Sequence, residues 1–522
     1  MISSAMRALL PRTPSGFKLS PALMLLLIVL LAAFLRLFLL GHKSFGADEG
    51  IAWWMALGEI EHDAPAVYQW AFGWAMHLFG WTEFAGRFPS ALFGLLYIPV
   101  IYAIGRSCFD SRFGLYAASF AAFSAYLVPL SQELRIYSLL GLEILLSLWI
   151  FLQILKKPGA HAGWWMALLV VGLAGQYTHC FFIFVLGYLG LALLGVKRPG
   201  KWRDALKYLV IMVAVILLSL PELLKTFSVA ADRPQIYAAD IYHFKMNAWR
   251  LLRSYFCFLF GDYFTNRPGS ILPFLKSHPE QIGMALLMTG TWIVAAFLAL
   301  RQIRRIVRGD NYQALAMRIL VGMLLFFTLV FFIVDVSTSG HLIFIYIPFL
   351  PLITVFWACE GTKTRSIVFI LFLFLSGISL TSYYQLPYFA YERSDWRTAG
   401  RILGSEFRPD DALLILQARN AYYTLKYYYP DLGGDIYYYP RHDPAALKNH
   451  ELLSWWNKKS PQEKVDSLLN THNRVWIVES NLQWQPEIHP TIQTCQTRDL
   501  GHDLQLHLIE PRGKLAEEGV MD

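Results

Sequence analysis

The chain is poor in the features that mark a soluble, cross-linked or nucleotide-binding protein. Charged residues make up only 16% of its 522 positions. The five cysteines, Cys108, Cys180, Cys257, Cys359 and Cys495, are odd in number and scattered. That spacing suits neither a zinc site nor a disulfide framework, and most of the five sit in apolar runs as small hydrophobes. No glycine-rich phosphate loop occurs after about residue 391, where the composition turns soluble, so nucleotide binding there has no support. There is no low-complexity tract and no internal repeat. Secondary transporters tend to show repeats and broken spans near the bilayer midplane, so a transporter or flippase for a lipid-linked or anionic substrate is the rival rather than the leading reading. No small-residue cleavage site follows the first apolar run, "ALMLLLIVLLAAFLRLFLL". That run is too long for the core of a signal peptide and reads as an uncleaved first span.

What is present is apolar length. Hydrophobic residues are 56% and aromatics 16% of the chain, and the mean hydropathy is +0.41. Soluble proteins run nearer 45–50% apolar, and a helix of roughly 20 apolar residues crosses a bilayer. Apolar length predicts about eleven spans, near residues 21–40, 86–104, 113–130, 136–154, 163–177, 180–196, 206–222, 281–300, 317–334, 341–358 and 366–384. The net charge of +8 reflects lysine and arginine in cytoplasmic loops, not nucleic-acid binding. Arg106, Arg112, Lys156, Lys157, Lys197, Arg198, Arg304 and Arg305 fall on one side if the N-terminus is cytoplasmic, while the short turns opposite hold only Lys43 and Arg135. The expectation is a mainly α, polytopic inner (plasma) membrane protein with an extracytoplasmic C-terminal region. It divides into a transmembrane part, 1–390, and a soluble α/β domain, 391–522. In the latter, "DDALLIL", "RVWIVES" and "LQLHLIE" read as strands and the intervening segments as helices.

Ionisable groups at the edge of the membrane are costly and by default mark functional sites. They gather on the outer face. "GHKSFGADEGIAWW" puts Asp48 and Glu49 within a few residues of the first span's end, where a carboxylate can act as a general base. "LSQELRIYSLL" puts Glu133, Arg135 and Tyr137 in a short turn between two apolar helices. This is either a Glu–Arg pair that tidies the loop or a fixed guanidinium for an anion, since arginine grips phosphate in a bidentate manner. Glu133 would then position Arg135 or bind a divalent ion. "GQYTHCFF" brings His179, and "STSGHLIFIYIPFLP" brings His341, to outer turns. The segment 223–280 reads as an amphipathic helix lying in the interface.

These motifs, taken in order, resemble the GT-C superfamily of membrane glycosyltransferases, in particular the bacterial branch akin to protein O-mannosyltransferases and lipid A aminoarabinose transferases. The matching segments are Asp48-Glu49 after the first span, "EHDAPAVY", "GRFPSALFG" around Arg87, "SQELRIYSL", "QYTHCFF" and "SDWRTAGRIL". The chain departs from the pattern at His341, which stands where many relatives have arginine. The resemblance implies a polyprenyl-phosphate sugar as donor, bearing a hexosyl or pentosyl group, with the prenyl tail in membrane lipid. The acceptor is a hydroxyl of a cell-envelope glycan, lipid or protein. Asp48 would be the base for transfer with inversion, and Glu49 its neighbour. Arg135, Tyr137, Arg87, His179 and His341 would bind the substrate. Glu133 with Asp63 or Glu49 could hold a divalent metal ion.

Overall fold

A computed structural model describes residues 20–59, 65–156, 161–197, 199–224, 251–252, 254–258, 276, 279, 282–333, 340–359, 362–385, 395–416, 419–431, 435–439, 461–480, 492–500 and 504–511. Most of the segment 223–280 read as an interfacial helix lies outside them, and so does Asp63.

The first half is a run of helices: α1 (Pro21–Leu37), α2 (Ala47–Ala56), α3 (Ala66–Phe79), α4 (Glu83–Cys108), α5 (Ser111–Ala122), α6 (Leu127–Ser131), α7 (Tyr137–Lys156), α8 (Ala162–Thr178), α9 (Phe182–Gly195) and α10 (Lys201–Leu218). Helices Ile282–Ile306, Tyr312–Ile333, Ile343–Cys359 and Thr362–Gln385 follow. Among the described residues α4, α7, Ile282–Ile306 and Tyr312–Ile333 are long and apolar enough to cross a membrane, while Pro21–Leu37, Phe182–Gly195, Ile343–Val355 and Ser366–Thr381 are shorter apolar helices.

Helix α7 is the axis of the bundle. It is buried along nearly its whole length and packs against α4, α8 and Ile343–Cys359. Helices α4 and α5 cross where neither carries a side chain: a Cβ on Gly105 would lie 2.8 Å from Gly114 Cα. Small residues permit this approach, the usual route to tight packing where lipid offers no hydrophobic drive between helices.

One expected span differs. Residues 113–130 do not form a continuous helix; α5 stops at Ala122, and a separate turn of helix, α6, starts at Leu127. The break is stabilised locally. Ser124 Oγ accepts from the amides of Tyr126 (3.3 Å) and Leu127 (3.0 Å). The final carbonyls of α5, which have no partner within their own helix, accept from the fully buried Arg36 of α1: Nη2 to Ala121 O, 3.1 Å, and Nη1 to Ala122 O, 3.3 Å. Gln132 Nε2 ties the same region back to α1 through the carbonyls of Arg36 (3.0 Å) and Phe38 (2.9 Å). Hydropathy averages over such a break because its residues remain apolar.

The C-terminal region is a five-stranded mixed sheet. The strands are β1 (Asp411–Leu416), β2 (Asp435–Tyr439), β3 (Arg474–Ser480), β4 (Ile492–Asp499) and β5 (Leu504–Pro511), in the order β2-β1-β3-β5-β4. Strands β1, β2 and β3 are parallel, and β5 runs antiparallel to β3 and β4. Helices Trp396–Glu406 and Arg419–Tyr428 cover one face, and Pro461–Leu469 covers the other. The three strands expected from sequence are β1, β3 and β5. "DIYYY" and "IQTCQTRD" are two further strands.

Candidate active site

Helix α2 begins at Gly46, and the Glu49 carboxylate reaches back to cap it, accepting from Gly46 N–H at 3.0 Å. Glu49 is buried (side chain 4% exposed) and forms a two-point ion pair with Arg87 of α4: Nε to Oε1 and Nη2 to Oε2, both 2.8 Å. Glu49 Oε1 also accepts from Leu134 N–H at 2.9 Å. Arg87 donates further to the carbonyls of Leu40 (3.1 Å), Lys43 (2.7 Å) and Ser44 (2.9 Å). A guanidinium has five N–H donors, and all five are engaged inside the protein. This pair joins the loop after α1, the start of α2, helix α4 and the 132–136 turn at one point. Arg87 is 1% exposed, so it presents no donor to a substrate.

Asp48, one residue earlier, points elsewhere. Its side chain is 64% exposed, and Oδ2 lies 2.8 Å from Arg135 Nη1. Arg135 Nη2 donates to the Tyr137 hydroxyl at 3.3 Å, and its guanidinium sits 5.3 Å from the Tyr137 ring centre. Tyr137 is 3.5 Å from His341 Nδ1, and His341 Nε2 is 3.0 Å from His179 Nε2. The amide of Phe181 donates to His179 Nδ1 at 3.1 Å, so that nitrogen is unprotonated and Nε2 carries the hydrogen shared with His341. His341 Nδ1 then carries a hydrogen facing Tyr137. The tyrosine oxygen accepts from both Arg135 and His341, so its own proton is directed to neither.

Asp48, Arg135, Tyr137, His341 and His179 thus form one continuous line of contacts across four segments that are far apart in sequence. Glu133 lies two residues from Arg135, is half-buried and adds to the negative potential on it. Burial disfavours the Arg135 charge, but Asp48 first, then Tyr137 and Glu133, outweigh it, so its pKa stands above the ordinary arginine value. Burial lowers His179 to about 4, so it is neutral near pH 7.

Glu143, a carboxylate inside α7, meets Thr178 Oγ1 at 2.9 Å. Among the described residues no three of His, Cys, Asp or Glu converge as metal ligands. Asp48 faces a guanidinium, which disfavours a second cation at that carboxylate while the pair is closed. Sequence reasoning missed Arg36, although a charge inside an apolar run is itself the signal. It also missed the contacts that the C-terminal region makes with α2.

Residues 63–223 match the family model described as dolichyl-phosphate-mannose-protein mannosyltransferase. The oligosaccharyltransferase of Archaeoglobus fulgidus, solved with zinc and sulfate, is similar in structure at a TM-score of 0.52 and 12% identity, over 87% of this chain and 68% of that one. The chain shares the fold of that oligosaccharyltransferase. The archaeal oligosaccharyltransferase AglB from Archaeoglobus fulgidus, in complex with an inhibitory peptide and a dolichol-phosphate, is similar in fold at a TM-score of 0.51 and 10% identity, over 88% and 69% of the two chains. ArnT from Cupriavidus metallidurans in the apo state aligns over 94% of this chain and 97% of its own, at 16% identity and a TM-score of 0.47. No curated protein sequence matches significantly.

Proposed function

We propose that this protein is a GT-C glycosyltransferase, which transfers a sugar, hexosyl or pentosyl, from a polyprenyl-phosphate donor to an acceptor hydroxyl of a glycan, lipid or protein, at the outer face of the membrane. The description of the matching family names a dolichyl-phosphate sugar, and the AglB relative was solved with a dolichol-phosphate. The observation that carries the reading is the pairing of the exposed Asp48 with Arg135 at 2.8 Å, backed by Tyr137, His341 and His179.

In this reading the prenyl tail stays in lipid and the phosphate lies against Arg135. The donor phosphate competes with Asp48 for the guanidinium and so releases the carboxylate. Asp48 takes the proton of the acceptor hydroxyl, and that oxygen attacks the anomeric carbon. The bond to the phosphate oxygen breaks with inversion, and polyprenyl phosphate leaves. Phosphate is a weak base and needs no general acid, but its charge needs stabilisation, which Arg135 and the Tyr137 O–H supply. Glu49 and Arg87 hold Asp48 in place rather than touch substrate. The crowding of lysine and arginine at the opposite helix ends, Arg106 and Lys156 among them, supports an outward-facing site. The division at about residue 390 and the eleven spans belong to the same proposal.

The test is transfer by purified protein from a radiolabelled polyprenyl-phosphate sugar. Asp48→Asn should fold normally and lose at least 10²-fold in kcat. Near wild-type turnover by a folded Asp48→Asn protein overturns the assignment of the base.

A further inference from the structure

The stretch "GADEGIAWW" divides α2 between three neighbours. At 3.6 residues per turn, Glu49 and Trp53 share one face, Gly50 and Trp54 the next, and Asp48 lies away from both. The Glu49 face is held mainly by the membrane region: Glu49 bonds to Arg87, and Trp53 is buried against Phe72 and Phe45, with Tyr427 of the C-terminal region also touching its ring. The Gly50 face is held by helix Arg419–Tyr428 of the C-terminal region. A Cβ on Gly50 would lie 1.9 Å from Thr424 Oγ1 and 2.6 Å from Thr424 Cα, so the two backbones touch and only glycine fits. One turn further along α2, Trp54 Nε1 donates to Tyr423 O at 2.9 Å. At the entry to α2, Phe45 N–H donates to the Tyr428 hydroxyl at 2.6 Å, and that hydroxyl donates to Glu83 at 3.0 Å. Arg397 closes the same corner on Glu83 Oε1 (2.6 Å) and His42 O (3.3 Å).

We infer that the C-terminal region is a working part of the transfer site: helix Arg419–Tyr428 fixes the rotation and depth of α2, and thereby the distance from Asp48 to Arg135. The inference rests on the function proposed above. Arg87 fixes one end of one α2 face; without the second face α2 can roll about the Glu49–Arg87 pair, and a roll moves Asp48 most. Gly50, Trp54 and Thr424 are therefore positioning residues, none of which touches the reacting atoms.

The experiment uses the full-length protein in detergent or nanodiscs. Gly50→Ala introduces the clash, and Trp54→Phe, which keeps the ring but removes the donor to Tyr423, is the milder partner if Gly50→Ala does not accumulate. Gly50→Ala should lower kcat about 10²-fold, the scale for an ångström-level misplacement, with KM for the donor within about twofold, because Arg135 is untouched. Trp54→Phe should do the same to a smaller degree. A second readout needs no turnover: an Asp48→Cys/Arg135→Cys protein whose five native cysteines are replaced by serine is treated with a short bismaleimide, and cross-linking is compared with and without Gly50→Ala, against each single-cysteine control. The clash should lower the yield severalfold. Unchanged kcat per folded molecule with unchanged cross-linking overturns the inference and leaves the C-terminal region a passive cap. If wild-type protein transfers no sugar from any polyprenyl-phosphate donor, the proposed function fails, and the cross-linking yield alone decides the positioning claim.

Discussion

Replacing Arg87 with methionine removes a guanidinium whose five N–H groups serve Glu49 and the carbonyls of Leu40, Lys43 and Ser44. The methionine fills part of the volume but leaves a carboxylate that is only 4% exposed without its counter-charge. Breaking a buried pair from one side costs about 3–5 kcal/mol. The three carbonyls add to this only in part, because loop 40–44 can shift toward water. A net loss of about 4 kcal/mol is therefore expected. Glu49→Gln keeps an oxygen for Leu134 N–H and removes the charge. The double variant should thus be less destabilised than the sum of the singles by about 2 kcal/mol. Reversible unfolding in mixed detergent micelles, carried through all four corners of the cycle, measures both quantities. A residue that contacts substrate behaves differently: Arg87→Met would unfold within about 1 kcal/mol of wild type and show its effect as a raised KM. That result, or a strictly additive cycle, refutes the positioning role.

Arg135→Ala should retain the fold and lose about 10²–10³-fold in kcat, the range for removing a group that stabilises developing charge; Arg135→Lys should recover part of it, read in the same radiolabel assay. His179 is held neutral by burial, with its pKa lowered to about 4 from 6.5. The unfolded chain therefore binds a proton between those values that the folded chain does not. Stability should fall as pH drops from 6.5 to 4, by up to about 3 kcal/mol. His179→Gln should flatten that part of the unfolding profile, and an unchanged slope refutes the assignment. Arg36→Met should cost about 2 kcal/mol by orphaning the carbonyls of Ala121 and Ala122, and hydrogen exchange should rise at the end of α5 more than elsewhere.

The sequence pattern was informative wherever one residue type carried its meaning alone. Long apolar runs located the helices, short apolar runs located β1 and β3, and the alternation in "LQLHLIE" located β5. Asp48 at the end of the first span, the arginine in "SQELRIY" and the two histidines belong to one line of contacts, and all were visible as polar intrusions at helix ends. Pairing was not visible. Glu49 and Arg87 lie 38 positions apart and looked like two separate functions, a neighbour of the base and a substrate contact. A motif shows that a residue is needed, not what it bonds. His179 and His341 meet only because two turns, 162 positions apart, end at the same level of the bundle. Arg36 was lost in an apolar average, and with it the break between α5 and α6. "DIYYY" and "IQTCQTRD" lack the clean apolar alternation of a strand because β2 and β4 are the sheet's edges.

The break in the third apolar segment has a consequence for how the chain is made. The twelve residues of α5 reach about 18 Å as a helix, against a hydrocarbon core of roughly 30 Å. The residues of the break, Ser124 to Tyr126, are buried in protein rather than presented to lipid. Exposed in a bilayer, that irregular backbone would lack hydrogen-bond partners, which lipid does not provide. The segment from Ser111 to Ser131 is therefore expected to partition poorly into the membrane by itself, and to leave the insertion machinery together with α4 and against an α1 already in place, whose Arg36 donates to the carbonyls at the end of α5. A nascent chain tethered just past residue 131 should stay with the translocon, and one that also carries α7 should move into lipid. Synthesis order and the proposed site then lie close together: the residues that would delay release are separated from Arg135 by the short helix α6.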